Sequence, residues 1–443
     1  MTILNESGIP DVLPPLHAVG NLARRLGDVL VVVTGTQAEA HLVQSLPAAP
    51  SPNLPPPAGQ DPRVVFAIID PEDPPPQGFL ASRIVEGAAG MRNVNLVLLV
   101  AARASEALGV DAAFEARLAS RKLELPVEMV DPEAPRELPG TLSTDLDDRV
   151  VSALIDLCPK RRTSDLVETA APKRGGLLGG LLGLGRETPE PGDGQPVVLL
   201  GGTLSPGAAQ GLAAELSRAG VEVAGAVPAD GIASLPPLGE GTVVAVMDPN
   251  LAAAAAAAER RGATVVRTLM PTGVDGTARF VQDVSEAAGA GTSEVVRARA
   301  AWEDLGALRN RIRGKRVFFA GDTGFEVPLA RFLADAGAVV LEVGAPRLDR
   351  RFLAAELQAL GPDVDVVVSP DYRGQANRID EARPDVVVCS SGLHLPLVAR
   401  GHLCRSTQDF IQAGLYGYGG ARRILELLAR TLRRAETLDS LSL

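Results

Sequence analysis

Three cysteines offer the widest chemistry in this chain, because thiols can bind metals, support redox reactions or form disulfides. They are Cys158, Cys389 and Cys404. No CxxC spacing occurs, and an odd, scattered set argues against a disulfide framework. Three thiols could in number hold a metal cluster, but the sequence pattern places Cys158 and Cys389 in different domains, so such a convergence would be accidental. We therefore interpret each cysteine as a small buried hydrophobic residue.

Common catalytic motifs are missing from the sequence. There is no GxxxxGKS/T, so the chain does not bind ATP through a P-loop, and neither GxSxG nor HExxH occurs. The turn Thr34–Thr36 could cradle a phosphate, although ordinary strand-to-helix turns use the same residues. The motifs therefore assign no reaction to this chain.

The composition is that of a large globular protein. The chain has 443 residues, of which 46% are apolar and 22% charged, so two or three domains with substantial cores are expected. The formal net charge of −11 excludes a general nucleic-acid binder. The N-terminal residues lack a basic stretch followed by an apolar one, and no apolar run approaches the ~20 residues that span a bilayer. We expect a cytoplasmic protein.

The stretch 314–351 contains the elements that would position a site. Arg316–Ala320 is a short apolar run typical of a buried parallel strand, and Phe325–Ala336 has the apolar spacing of a helix. Gly337 can end that helix, since glycine accepts the left-handed conformation. Val339–Val343 is the next predicted strand. The pattern predicts a right-handed β-α-β unit, and the loop after its first strand is where such folds bind ligands.

The same alternation recurs along the chain. Further strands are predicted at Val29–Val33, Val64–Ile69, Asn95–Val100, Val127–Val130, Val197–Gly202, Val221–Val227, Val243–Met247, Thr264–Arg267, Val364–Val368 and Asp385–Val388. Further helices are predicted at His17–Leu26, Ala38–Gln44, Leu80–Met91, Ala104–Ser120, Asp145–Leu157, Gly207–Ala219, Leu251–Arg261, Asp275–Ala288, Ser293–Ile312, Ser406–Ala413 and Gly420–Ala435. Together they predict an α/β fold of three Rossmann-like domains, each a doubly wound parallel sheet.

Breaks in the alternation suggest the domain limits. We expect a first domain over 1–160, a linker or docking insert over 161–195, a second domain with a bridging helix over 196–313, and a third domain with C-terminal helices over 314–443. Residues 1–16 are rich in proline and predict an extended arm.

The insert contains KRGGLLGGLLGLGRE, in which closely spaced leucines lie between basic residues. Its glycines predict a flexible interdomain linker. The leucines between Lys173 and Arg186 also fit a patch that contacts a membrane surface or a partner protein. Both interpretations stay open at the level of sequence.

Motifs in the third domain resemble those of a known family. GKRVFFAGD, EVPLARFL and EVGAP occur in order within 314–346, and RPDVVVCSSGLHLPLVARG follows at 383–401. These segments resemble the N subunit of light-independent (dark-operative) protochlorophyllide reductase, which belongs to a nitrogenase-like family. The similarity continues through Asp11–Gln44 and Asn95–Glu115, which match the segments that carry cluster cysteines in that subunit.

The resemblance implies a nitrogenase component 1-like fold and a defined complex. In that family the N and B subunits form a heterotetramer, and three N-subunit cysteines with one B-subunit aspartate hold a 4Fe–4S cluster. A separate ATP-dependent iron–sulfur protein delivers electrons, and protochlorophyllide binds near the interface between N and B, where its D-ring double bond is reduced. The partners implied here are a B-type subunit or a second copy of this chain, together with an ATP-dependent iron–sulfur reductase.

The positions that match the family's cluster cysteines hold Pro14, Glu39 and Arg103, and the alternatives for the first position, Leu13 and Ala18, are not thiols either. Proline has no side-chain ligand atom and arginine stays protonated, so only Glu39 could coordinate iron. We therefore expect no cluster held in the family's way and no cofactor of the chain's own. We predict instead an ion pair of Glu39 and Arg103 within ~4 Å. His17 and His41 flank two of these positions, and we interpret them as ordinary histidines rather than a replacement metal site.

An aromatic group near the C-terminus is the candidate site for a tetrapyrrole. Phe410, Tyr416 and Tyr418 predict either core packing or contact with a flat ring. His394 and His402 lie nearby and could bind a chlorin magnesium, or be ordinary loop residues. Our candidate pigment contacts are Phe410, Tyr416, Tyr418 and His394.

Two functions in tetrapyrrole biology follow from the resemblance. The chain is either an active N-type subunit of an ATP-dependent tetrapyrrole reductase in bacteriochlorophyll synthesis, with any cluster held by a partner, or a non-catalytic relative that binds, carries or assembles. The missing thiols favour the non-catalytic relative. An enzyme with paired Rossmann domains that acts on nucleotide sugars is a third hypothesis, which rests on fold analogy alone.

Overall fold

The computed structural model describes residues 2–6, 8, 26–37, 40, 63–101, 105, 107–130, 145–161, 194–202, 206–346, 348–350 and 352–441. The elements up to the insert are β1 (Ile3–Asn5), β2 (Val29–Gly35), β3 (Val64–Ile68), α1 (Phe79–Ala89), β4 (Leu96–Ala101), α2 (Ala112–Leu123), β5 (Val127–Val130), α3 (Asp145–Leu157) and β6 (Lys160–Arg161).

The elements that follow the insert are, up to residue 312, β7 (Val197–Leu200), α4 (Pro206–Arg218), β8 (Val223–Val227), β9 (Leu238–Gly239), β10 (Val243–Val246), α5 (Ala252–Arg260), β11 (Thr264–Val266), α6 (Gly273–Ala287), α7 (Val295–Asp304) and α8 (Gly306–Ile312). The remaining elements are β12 (Arg316–Ala320), α9 (Glu326–Asp335), β13 (Val339–Ala345), α10 (Ala354–Leu360), β14 (Asp365–Val368), α11 (Tyr372–Ala382), β15 (Val386–Cys389), α12 (Ser391–Ala399), β16 (Cys404–Ser406), α13 (Thr407–Ala413) and α14 (Gly417–Leu441).

Three larger parallel sheets and one parallel pair, β6-β9, organise the described residues. The first sheet has the strand order β3-β2-β4-β5, the second β11-β10-β7-β8 and the third β1-β14-β13-β12-β15-β16. All pairings within these sheets are parallel. Alternate residues of β12 face different cores, with Val317 and Phe319 in one and Phe318 and Ala320 in the other. Because both faces of the sheet are covered, its strands are continuous apolar runs, and the predicted α/β fold is confirmed.

The β-α-β unit predicted at the start of the third domain is present. Strand β12 pairs in parallel with β13, and α9 connects them. Gly337, just beyond this helix, has a φ of 95°, the left-handed conformation expected where a glycine ends a helix. The carboxyl end of β12 therefore opens into a short loop at the start of α9.

The N-terminal arm contributes a strand to the third sheet, which the sequence pattern did not predict. Ile3–Asn5 pairs in parallel with β14. Beyond it, Arg378 donates to Glu6 Oε1 at 2.8 Å and to Glu342 Oε2 at 2.6 Å. These contacts attach the first described residues to the third sheet. The domain limits expected from the sequence stay a prediction.

Two predicted helices are wrong in extent. Residues 104–120 do not form one helix, because Gly109 has a φ of 78° and Asp111 caps a new helix by accepting from Phe114 N at 2.9 Å. The bridging helix predicted at 293–312 is divided into α7 and α8 at Leu305, whose side chain is buried. Helices α10, α11 and α12 and strand β16 were not predicted.

Helix α3 joins the first and second sheets. Its residues Val150, Val151 and Leu154 lie in one hydrophobic core with side chains from both sheets. The Asp148 carboxylate accepts from Ala253 N at 2.9 Å and from Ala254 N at 2.8 Å, so it caps α5. Helix α5 has no side-chain cap of its own, and a carboxylate at a helix N-terminus satisfies otherwise unpaired amides.

Candidate functional site

The loops that follow β10 and β12 meet where the second and third sheets adjoin. Asn250, after β10, donates from Nδ2 to the carbonyl oxygen of Thr323, after β12, at 2.9 Å. Gly324 has a φ of 83°, and a Cβ there would lie 2.8 Å from Asn250 Oδ1. Only glycine fits this close approach without strain, so the two strand-end loops are fixed against each other.

The buried side chain of Glu326 holds the loop after β12 by hydrogen bonds. Its carboxylate accepts from Thr323 Oγ1 at 2.8 Å and from Thr323 N at 3.2 Å. The side chain is fully buried, and burial raises the pKa of the Glu326 carboxyl. A Cβ at Gly321 would fall on this carboxyl group. The loop is therefore held in one conformation by a buried acid rather than left open to solvent.

A buried ionic group, which we call the Arg331 network, joins α9 and α10 to the second sheet. Arg331 Nε donates to Glu356 Oε2 at 2.6 Å and Nη1 donates to Asp335 Oδ2 at 3.1 Å. Arg331 Nη2 also donates to the carbonyl oxygen of Thr272 at 2.8 Å, in the loop after β11. Glu356 Oε1 accepts from Met270 N at 2.7 Å in the same loop. The network thus fixes the loop after β11 on the third sheet's helices.

Asp335 makes the stability of this junction depend on pH. Burial raises its pKa to about 6, against the opposing effect of the Arg331 charge, and the carboxylates of Asp275 and Glu356 raise it further. The folded protein therefore binds this proton more tightly than the unfolded chain does. The resulting stabilisation is complete below about pH 4 and is lost as the pH rises to about 6.

We expect Asp335→Asn to remove this dependence. Relative to the variant, the wild type should lose on the order of 2 kcal/mol of unfolding free energy between about pH 4 and pH 6. Thermal unfolding of both proteins across that window measures the difference. Asp304→Asn, at an exposed carboxylate paired with Arg422, is the matched control. An unchanged difference between wild type and Asp335→Asn at all pH values would contradict the assignment.

Two buried hydroxyl groups lie near the carboxyl edge of the first sheet, among the residues that the structure describes there. Strands β2 and β4 end side by side, with Thr34 in register with Ala101, and Ser105 Oγ donates to Thr34 Oγ1 at 3.3 Å. Thr34 and Ser105 are both buried. Pro14, Glu39 and Arg103 lie outside the described residues, as do His17 and His41, so the predicted ion pair stays a prediction.

The chain's thiols lie elsewhere. Cys158 follows α3 and donates to the carbonyl oxygen of Leu154 at 3.3 Å, while Cys389 and Cys404 lie on neighbouring strands of the third sheet. All three are free and buried, as predicted. The described hydroxyls of Thr34 and Ser105 are not among the side chains that hold a 4Fe–4S cluster. Within the described ranges, no three His, Cys, Asp or Glu side chains are arranged to hold a metal ion.

The aromatic residues near the C-terminus are packed against protein groups. Phe410 and Tyr416 are buried in the core that the second and third sheets share. Tyr418 is partly buried, donates from its hydroxyl to Glu294 Oε2 at 3.0 Å, and lies under the guanidinium of Arg297. The predicted contact of these rings with a tetrapyrrole stays a prediction.

The two C-terminal histidines have different surroundings. His402 Nε2 lies 2.7 Å from Asp380 Oδ1, and this hydrogen bond lowers the pKa of the Asp380 carboxyl. His394 lies half-buried on α12, directly after β15. Helix α12 exposes Leu395 and Val398. A pigment contact at His394 remains a prediction.

Sequence reasoning missed the Arg331 network and the buried acid of the loop. The signal that could have found them is a charged residue inside an apolar helix pattern, as for Arg331 within EVPLARFL. Such residues are rarely fully buried unless paired. The partners Glu356 and Met270 could not be identified without the tertiary structure.

The arrangement of the sheets and helices is similar to that of solved nitrogenase structures. The fold is similar to that of nitrogenase Cp1 at pH 6.5, with a TM-score of 0.68 at 14% sequence identity over 97% of this chain and 95% of that chain. A second solved structure, nitrogenase Cp1 at pH 5, gives a TM-score of 0.65 at 12% identity over 97% of this chain and 90% of that chain. Both likenesses concern the fold alone.

The chain belongs to the family described as nitrogenase component 1 type oxidoreductase, whose model matches residues 148–433. It is 33% identical to the light-independent protochlorophyllide reductase subunit N of Roseiflexus sp. (strain RS-1), over 99% of this chain and 96% of that protein. It is 31% identical to the subunit of the same name from Chloroflexus aurantiacus (strain ATCC 29366 / DSM 635 / J-10-fl), over 99% and 90%. The resemblance stated from the sequence is thereby confirmed.

In the part of the chain that the structure describes, no helix is long and apolar enough to cross a membrane.

Proposed function

We propose that this chain is an N-type subunit that acts in bacteriochlorophyll (tetrapyrrole) biosynthesis without an iron–sulfur cluster of its own. Its role is then to bind, carry or help assemble rather than to transfer electrons. The observation that carries the proposal is similarity to N subunits over 99% of the chain, combined with cysteines that are all buried elsewhere.

The chemistry at the first-sheet edge supports this proposal. Cluster iron in proteins is held by thiolates, occasionally by histidine. Near the ends of β2 and β4, the described side chains of Thr34 and Ser105 hydrogen-bond to each other. The burial-raised pKa of Cys158, about 11, keeps that residue a thiol at neutral pH.

A second candidate is an active N-type subunit of a nitrogenase-like, ATP-dependent tetrapyrrole reductase, with the cluster held by a partner. Two observations favour it: the relatives match nearly end to end, and the family model covers residues 148–433. The second and third sheets, joined by the Arg331 network, form most of this matched region.

The partners of the proposed subunit follow from its family. A B-type subunit or a second copy of this chain would occupy the subunit interface, and an ATP-dependent iron–sulfur reductase would act only in the active alternative. A tetrapyrrole would contact Phe410, Tyr416, Tyr418 and His394. The segment Lys173–Arg186 lies outside the described residues, and we propose it as a linker or as a contact for a membrane surface or partner. We propose a cytoplasmic location, peripheral to the membrane if this segment binds it.

Metal and pigment content test the proposal. The full chain is purified alone and with a co-expressed B-type subunit, and iron, acid-labile sulfide and visible absorbance are measured before and after addition of protochlorophyllide. We expect no iron in the chain alone and a shift of the pigment's absorption bands on binding. Cluster iron in the lone chain would overturn the proposal, and no pigment binding in either preparation would leave assembly as the role of the chain.

The active alternative gives a different result. With the B-type subunit, an iron–sulfur reductase and ATP, the complex would reduce protochlorophyllide, and omission of this chain would abolish the reaction. A variant without residues 173–186 tests the membrane contact by co-sedimentation with vesicles that contain anionic lipid. Equal sedimentation of the variant and the full chain would show that the segment makes no membrane contact and serves as a linker.

A further inference from the structure

Cys389 and Cys404 lie on the last two strands of the third sheet and on the same face of it. Val387 of β15 is in register with Cys404 of β16. Since side chains alternate along a strand, Cys389 points to the same side as Val387 and lies diagonally opposite Cys404. Both cysteines belong to one hydrophobic cluster, covered by α11 and α12.

The two thiols influence each other's ionisation. The described hydrogen bond of the pair runs from Cys404 Sγ to the carbonyl oxygen of His402 at 3.6 Å. The neighbouring Cys404 thiol, together with burial, raises the pKa of Cys389, whereas the Cys389 thiol lowers the pKa of Cys404 against the opposing effect of burial. Cys389 is 0% exposed, whereas Cys404 is 8% exposed on a strand at the edge of the sheet. A reagent therefore meets Cys404 first.

We propose that Cys389 and Cys404 form an oxidisable dithiol, which a small disulfide such as oxidised glutathione converts into a bond between β15 and β16. The Cys404 sulfur, as thiolate, attacks the reagent's disulfide and releases one glutathione thiol. The Cys389 sulfur then attacks Cys404 in the mixed disulfide and releases the second. The two electrons and two protons of the dithiol leave with two molecules of reduced glutathione.

This reaction has a structural consequence. Diagonal neighbours on adjacent strands are farther apart than most disulfide-bonded residues, so closing the bond requires a small movement of the backbone. Strand β16 can provide it, because it is an edge strand of three residues, Cys404–Ser406. Ser406 caps α13, so the movement would pass to the start of that helix.

Thiol counting tests the proposal on the full folded chain. After incubation with oxidised glutathione, removal of excess reagent and denaturation, free thiols are labelled with a maleimide and located by peptide mass spectrometry. We expect loss of two of the three thiols, at Cys389 and Cys404, and their full return with dithiothreitol. Cys158→Ala, at a buried thiol outside the pair, should lose the same two.

The single variants separate a pair from independent reactions. Cys389→Ser should stop at a glutathione adduct on Cys404, and Cys404→Ser should keep both remaining thiols. Circular dichroism confirms that each protein stays folded during the incubation. Retention of all three thiols in the folded wild type, or equal loss of the Cys389 thiol in Cys404→Ser, would overturn the proposal.

Discussion

Replacing Arg331 by methionine is expected to lower the free energy of unfolding by about 3–5 kcal/mol, since it leaves a buried carboxylate without its partner. Glu356 is 0% exposed and would keep only the bond from Met270 N. The backbone carbonyl of Thr272 would also lose its donor. The measurement is thermal and denaturant unfolding of the full chain, followed by circular dichroism.

Two further variants test whether the loss comes from the buried charge that remains unpaired. Arg279→Met removes an exposed guanidinium that pairs with Asp283 at 2.8 Å, and it should cost at most about 1 kcal/mol. The double variant Arg331→Met with Glu356→Gln removes both charges and should recover part of the loss. If Arg331→Met were no more destabilising than Arg279→Met, the network would contribute no more to the junction of the second and third sheets than an exposed ion pair does.

Gly273→Ala is expected to destabilise the same junction through packing. Gly273 begins α6 with a φ of 78°, and a Cβ there would fall on the ring of Phe332, which is fully buried on α9. The substitution therefore combines an unfavourable backbone conformation with overpacking, for a loss of about 2–5 kcal/mol. Unfolding midpoints of the variant and the wild type measure it.

Gly289→Ala separates the two causes. Gly289 lies just beyond the other end of α6 with a φ of 85°, and a Cβ there would have no neighbour within 4 Å. This variant should show the backbone cost alone, about 1–2 kcal/mol. Equal destabilisation by the two substitutions would mean that the packing of α6 on Phe332 contributes nothing.

The sequence by itself determined the fold class and most of the parallel strands. Runs such as Arg316–Ala320 are apolar throughout because both faces of a parallel sheet are covered, and this signal is local. Gly337 predicted a helix end through an equally local signal, because a glycine can adopt the left-handed conformation whatever its tertiary surroundings. The resemblance to N subunits also matched Pro14, Glu39 and Arg103 to the family's cluster cysteines, and this match stays a prediction.

Local signals also account for the errors. The helix predicted at 104–120 depended on apolar spacing, but Gly109 and the Asp111 cap start a new helix at Ala112. The arm at Ile3–Asn5 carried no strand pattern of its own, because a three-residue edge strand is defined by its partner β14. A short strand gains its structure from the sheet that it joins.

Only the tertiary structure decided which polar groups meet. Arg331 and Glu356 are 25 residues apart in sequence and Arg331 and Met270 are 61 apart, while Glu6 and Arg378 are separated by 372. The placement of Cys389 and Cys404 in one hydrophobic cluster likewise depends on the order of β15 and β16 in the sheet. Spacing along a chain constrains neighbours within a few residues, whereas these pairs form because chain folding brings distant elements together and burial then requires each charge or donor to find a partner.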